Sequence, residues 1–185
     1  MIQIPVKLYN GQKLPIITEE GDWFDIAVQG PIELKGPIAH TAKRSRAKGE
    51  DISTRNVEFF PQALSLNMAM QLPEGFEAVV LPRSSTFNKF WVKLTNGEGV
   101  IDNAFKGNTD IWGARLLPFK DMTIADGTRL FQFRIQLSQK ATFKQKLKWL
   151  FWDGKIEFVE VEDLNNKSRG GYGEGTKYLD NGNHQ

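Results

Sequence analysis

The chain has 185 residues, enough for one well-filled core and short for two. Hydrophobic residues make up 40% and charged residues 25%, and the formal net charge is +2, a globular composition whose basic excess is too small to argue for a nucleic-acid or membrane partner. There is no cysteine, which removes disulfides, iron–sulfur clusters and thiolate zinc, and His40 and His184 alone leave little for an imidazole metal cage or a Ser-His-Asp triad.

The opening Met1-Ile2-Gln3-Ile4-Pro5-Val6-Lys7 lacks the basic-then-apolar layout of a signal peptide, and no apolar run approaches a membrane span. A cytoplasmic location, in a bacterium or a phage-infected cell, is the expectation. Short alternating or β-branched runs then follow: Gln3–Leu8, Trp23–Val28, Ala63–Met68, Phe76–Leu81, Asp110–Leu117, Arg129–Leu137 and Lys155–Val161. Turn signals separate them, as in Asn10-Gly11, Pro73-Glu74-Gly75, Asn96-Gly97, Asp126-Gly127 and Asp153-Gly154. Such punctuation predicts an all-β sandwich or barrel. In the run from Arg129, Phe131, Phe133, Ile135 and Leu137 share one face with Arg129, while Gln132, Arg134 and Gln136 share the other.

Three segments depart from this pattern. Gly36–Glu58 carries Lys43, Arg44, Arg46 and Lys48 among small polar residues and predicts an exposed excursion. Lys140–Trp152 sets Phe143, Leu147, Leu150 and Phe151 at helical spacing, with Lys144 and Lys148 opposite, and predicts a helix packed over one end of the sheet. Asn165–Gln185 is polar and glycine-rich and predicts an arm outside the core. The expected organisation is a β domain over 1–164, interrupted at 36–58 and 140–153, then an arm over 165–185.

Two segments carry the chemistry. Leu81-Pro82-Arg83-Ser84-Ser85 sets a cation and two hydroxyls side by side after an apolar run, as a phosphate cradle requires. Gly99-Val100-Ile101-Asp102-Asn103-Ala104-Phe105-Lys106-Gly107 predicts a tight hairpin with one carboxylate and one aromatic ring, along whose backbone a base could lie while Asp102 handles a water. Together they point to nucleotide chemistry on a β scaffold.

In order along the chain stand Gly21-Asp22-Trp23-Phe24-Asp25-Ile26-Ala27, Pro82-Arg83-Ser84-Ser85, the run from Gly99 to Gly107, Gly127-Thr128-Arg129-Leu130-Phe131-Gln132, and Arg169-Gly170-Gly171-Tyr172-Gly173. This series resembles the five motifs of the trimeric all-β dUTP diphosphatases (dUTPases), with phrasing closest to a bacterial and phage branch. The resemblance implies a jelly-roll-like subunit with one or two short helices, assembled as a homotrimer. Its sites would lie between subunits, with the second and fourth motifs from one chain, the third from another and the arm from the third. It further implies Mg²⁺-dependent hydrolysis of dUTP.

By that resemblance Asp102 orients the attacking water, where the plainer reading is a turn aspartate capping its own backbone. Arg83 and Ser84 hold the phosphates and Ser85 offers its N–H, against the plainer reading that Ser84 or Ser85 caps a helix over Thr86–Phe90. Phe105, where the family usually has tyrosine, packs on the deoxyribose and excludes a 2′-hydroxyl. Asn96 and the backbone of Gly99, Val100 and Ile101 read the uracil edge, and Gln132 contacts the α-phosphate or the water. Arg129 is read as a buried structural arginine, its acidic partner open because the family's acid at position 128 is Thr128 here. Asp25 holds magnesium through water. On the arm Arg169 reaches the γ-phosphate, Tyr172 stacks over uracil, and Gly171 and Gly173 allow close approach; Glu174 departs from the small hydroxylated residues the family has there.

Two further readings are carried. A dCTP deaminase, a relative sharing these elements, needs a glutamate shortly after the hairpin, where this chain has Trp112, with Asp110 two residues earlier. An interaction module would use the β core as scaffold and bind another macromolecule, protein or nucleic acid, through the basic insertion Lys43–Lys48.

Overall fold

A computed structural model describes residues 1–17, 21–41 and 55–170, the side chains of His40, Thr41, Arg55 and Asn56 apart. The basic residues Lys43, Arg44, Arg46 and Lys48, and Gly171, Tyr172, Gly173 and Glu174 of the arm, lie outside the described residues.

The main sheet has five strands: β2 (Ile16–Ile17), β3 (Phe24–Ala27), β9 (Phe76–Pro82), β11 (Gly99–Ile101) and β14 (Arg129–Leu137), in the order β11-β9-β14-β3-β2. Its spine is the antiparallel β9–β14 pair, which runs in unbroken register from Phe131↔Pro82 to Leu137↔Phe76. A second sheet sets β15 (Ile156–Glu160) parallel to β1 (Ile2–Leu8) and β8 (Met68–Met70) antiparallel on the other side. A third orders β10 (Val92–Leu94), β12 (Gly113–Pro118) and β7 (Gln62–Ser65). Two ribbons complete the described fold: β4 (Ile32–Leu34) with β13 (Met122–Ile124), and β5 (Ile38–Thr41) with β6 (Arg55–Glu58). This is the all-β sandwich that the punctuation predicts, in the jelly-roll-like form with two short helices that the resemblance implies.

The inward faces meet in one core. Phe24 and Phe133 of the main sheet pack on Phe158 of β15 at 4.8 and 5.9 Å between centroids, and Trp112 sets its edge against Phe133 at 5.2 Å. Ile4, Val6, Met68 and Met70 close the core from the second sheet.

Four local expectations need correction. The alternation in β14 does not extend to Arg129: a bulge between Arg129 and Phe131 shifts the register, so Leu130 and Phe131 are both buried and Arg129 is exposed. The segment 36–58 enters and leaves through the β5–β6 ribbon rather than as a loop throughout. Residues 99–107 do not close a hairpin. β11 pairs with β9, and the chain after it turns on itself through the Phe105 N–H to Asp102 C=O bond. The helix of the 140–152 segment, α2 (Phe143–Leu150), forms with a Thr142/Gln145 capping box, but it faces the other way from the prediction. Trp149 packs on Phe76 at 5.0 Å and stacks on Trp152, while Phe143, Leu150 and Phe151 stay 76, 73 and 83% exposed. The two tryptophans present more ring surface to the sheet than the leucines and phenylalanines opposite them, and burial follows the larger area.

Removing the ring at the centre of the aromatic cluster, Phe133→Ala, is expected to destabilise the fold by about 3–5 kcal/mol. Urea unfolding followed by tryptophan fluorescence would measure it.

Candidate active site

The phosphate-cradle residues sit at one end of the main sheet. Arg83 follows β9, its N–H bonded to Leu130 C=O, and the buried Thr86 Oγ1 donates to the same carbonyl at 2.8 Å. A five-residue helix, α1 (Thr86–Phe90), starts there, and Ser85 precedes it without making a side-chain cap. The capping reading of Ser85 is therefore not realised, and the exposed Ser84 stands beside it at the helix start.

Asp25 is the anchor of this end. It is 6% exposed, with Oδ1 in an ion pair to Arg83 Nε at 3.0 Å and Oδ2 accepting from Arg129 at 3.1 Å. Gln132 lies directly across from it in the β14–β3 register. Arg129 thus has the acidic partner that position 128 fails to supply. Both Asp25 oxygens face guanidinium groups, which does not suit a direct magnesium ligand, and the predicted hold through water would share these oxygens with Arg83 and Arg129. Among the described residues no cluster of three carboxylate or histidine side chains exists to hold a metal ion instead.

The other functional segment lies at the opposite end. Asp102 follows β11, is 49% exposed, and receives the Ala104 N–H on Oδ1 at 2.9 Å. The turn-capping reading therefore holds, and it leaves Oδ2 to form an ion pair with Arg169. Asn103 ties the same loop to the Leu72 and Pro73 carbonyls at 2.7 and 2.8 Å. Phe105 is half-buried against the core.

Beside this loop, a cavity of about 400 Å³ opens between the main sheet and the β10-β12-β7 sheet. Asn96, Gly99 and Ile101 line it with Val80, Trp112 and Arg115. Val100, the middle residue of β11, is 55% exposed and takes no part in the lining, as strand alternation requires. β11 is an edge strand, so one row of its backbone donors and acceptors is left for a ligand.

The two ends are well separated in one chain. Ile101 pairs with Ala78, and Arg83 stands five residues further along β9, about 16 Å away at about 3.3 Å per residue. Arg83 is moreover held toward β3, on the far side of β9 from β11.

Sequence reasoning missed Asp110 as a site element. It is fully buried, and its carboxylate accepts the N–H of Gly107 at 2.8 Å, of Arg169 at 3.0 Å and of Gly170 at 3.2 Å. Nearby, Asn108 bonds Asp163 and the Leu164 N–H, and its carbonyl accepts from Tyr9. The Asn165 N–H and then the Asn108 amide hold the Asp163 carboxyl below its ordinary range, and burial raises the Tyr9 phenol.

With this geometry in view, similarity to known proteins is informative. The chain is 35% identical over 160 residues, 86% of its own length and 87% of the relative's, to the SPbeta prophage-derived deoxyuridine 5'-triphosphate nucleotidohydrolase YosS of Bacillus subtilis. The chain belongs to the dUTP diphosphatase family. A second relative, the deoxyuridine 5'-triphosphate nucleotidohydrolase of Corynebacterium efficiens, is 26% identical over 76% of this chain and 71% of its own. The fold matches a dUTPase from phage phi11 of S. aureus, a structure that reveals the coordination of a structural Mg(II) ion, with a TM-score of 0.55 at 14% identity over 77% of this chain and 95% of that one. No protein-family model matches the chain.

Asp25→Asn would leave Arg83 and Arg129 facing each other without a compensating charge. A loss of about 1–3 kcal/mol is expected, the lower figure reflecting solvent access to both guanidinium groups. Urea unfolding in EDTA is the measurement, because it isolates the ion-pair contribution from any effect of divalent ions.

Proposed function

We propose that this chain hydrolyses dUTP to dUMP and pyrophosphate, in sites shared between the subunits of a homotrimer. The observation that carries the reading is Asp102. It is a partly exposed carboxylate, oriented by the Ala104 N–H and placed one residue beyond an edge strand whose backbone lines a nucleotide-sized cavity.

Uracil lies along β11, its edge read by the free backbone row and by Asn96. By the family resemblance the site rejects a 5-methyl group sterically, and an exocyclic amine would face a donor and go unpaired. Phe105 packs beneath the sugar and excludes the 2′-hydroxyl. A water held by Asp102 attacks the α-phosphorus in line, and a proton passes from the water toward the carboxylate. The bond from the α-phosphorus to the bridging oxygen breaks, and pyrophosphate leaves. Arg83, Ser84 and the Ser85 N–H neutralise the leaving group, Gln132 contacts the α-phosphate, and Arg169 of the third subunit's arm reaches the γ-phosphate. Magnesium would accompany the triphosphate and help neutralise the charge of the leaving pyrophosphate, with Asp25 the residue to hold it through water. The arm residues Gly171, Tyr172 and Gly173 complete the closure over the base.

The separation of Arg83 from Asp102 supports the shared site. Arg83 and Asp102 of one chain are too far apart along β9 to act on adjacent phosphates, so the phosphates of a base bound at β11 reach the Arg83 of a neighbouring copy. The deaminase reading lacks a base: Trp112 is buried in the core, and the Asp110 carboxylate is filled by backbone N–H groups.

Pyrophosphate release against dUTP, dTTP, dCTP and UTP, with and without Mg²⁺, is expected to show turnover of dUTP alone. Ammonia released from dCTP would favour the deaminase. Asp102→Asn is expected to lower kcat by about 10²–10⁴-fold with KM little changed. Mixing refolded Asp102→Asn and Arg83→Ala chains is expected to restore turnover that neither has alone, and a mixture as inactive as its parts would contradict the shared site.

A further inference from the structure

We infer that Arg115 is a base-specificity residue: its guanidinium, at the cavity beside β11, donates to a carbonyl of uracil and so selects that base over cytosine. The inference rests on the hydrolase reading above and adds a residue to its base pocket.

The cavity wall is largely apolar, and among the described residues that line it Arg115 alone is charged. Ser65, Thr95 and Asn96 are the other lining residues with polar side chains. Ser65 is engaged locally, since its Oγ donates to Asn67 Oδ1 at 3.0 Å and accepts the Asn67 N–H at 3.1 Å. No acceptor among the described residues engages the Arg115 guanidinium. An arginine stays protonated, so it presents donors and no acceptor to whatever the cavity holds.

Backbone pairing places this cation. Leu116 of β12 lies across from Leu94 of β10, and the Thr95 N–H donates to the Arg115 C=O at 2.9 Å. Arg115 is thereby set beside the turn that carries Asn96. Across the other edge of β12 its partner is Ala63. Gly113 shares its face of the strand, two residues back. Small neighbours therefore leave the side chain room to lean toward β11, and its own exposure keeps the cost of desolvation low.

A donor-only group tells the two bases apart. Uracil offers a carbonyl where cytosine has an exocyclic amine, and an amine facing a guanidinium leaves donors opposed and unpaired. The same group is blind to a 5-methyl, so rejection of thymine falls to other parts of the pocket.

The test uses nucleosides without phosphates, titrated into the full chain and followed by nuclear magnetic resonance. Arg115→Ala is expected to weaken deoxyuridine by about 10–100-fold and to leave deoxycytidine unchanged, while Arg115→Lys, which keeps a donor, retains preference for deoxyuridine. The kcat/KM for dUTP should fall by the same factor, with the urea midpoint and the sedimenting mass as in the parent. A loss seen with dUTP but not with deoxyuridine would put the cation on a phosphate and overturn the inference. Equal losses for both nucleosides, or an altered assembly, would make Arg115 a structural residue and overturn it too, as would a parent chain that binds neither nucleoside. If the parent binds deoxyuridine but fails to cleave dUTP, the hydrolase reading falls, while the nucleoside titration still decides the role of Arg115.

Discussion

The β9–β14 pairing constrains everything else in the molecule. Its unbroken run from Pro82 to Phe76 fixes which residues leave the sheet at each end. At the Pro82 end the chain turns into Arg83 and α1, and the facing strands deliver Asp25, Arg129 and Gln132. Near the Phe76 end, β11 pairs on the outer side of β9 and delivers Asp102. A slip of one residue would exchange the faces of every side chain along β9 and bury Glu77 in place of Ala78. The register is secured by the core, since Ala78, Val80, Phe131 and Phe133 must all point inward together. Function inherits this geometry: the Arg83 end and the Asp102 end are rigidly held and far apart.

Three aspartates in this framework meet three environments, and the differences assign their work. Asp25 is buried between two arginines, so its charge is neutralised by cations and it orders their guanidinium groups. Asp110 is buried among backbone N–H groups, with no ion pair among the described residues, so it organises main chain. Asp102 is half-exposed, with one oxygen fixed by a turn and the other in an ion pair with Arg169. Only the last can meet a water and still be held in orientation. A buried charge whose oxygens are all satisfied has no capacity left for chemistry.

How much of this was legible in the sequence depended on whether the signal was periodic or positional. Strand β14 announced itself through Phe131, Phe133, Ile135 and Leu137, and its bounds match the alternating run. Arg129 was misplaced because a bulge shifts register without changing composition. The helix over 143–150 was legible from spacing, but its orientation was not, since large apolar side chains occupy both sides and only packing decides between them. The strands at Ile32–Leu34, Val92–Leu94 and Met122–Ile124 are too short to show a period. Asp110 carried no pattern at all. Its partners are backbone groups from two segments, and backbone groups have no letter in the sequence. The one available hint was a carboxylate three residues after Gly107, which is the spacing of a local turn as readily as of a clamp.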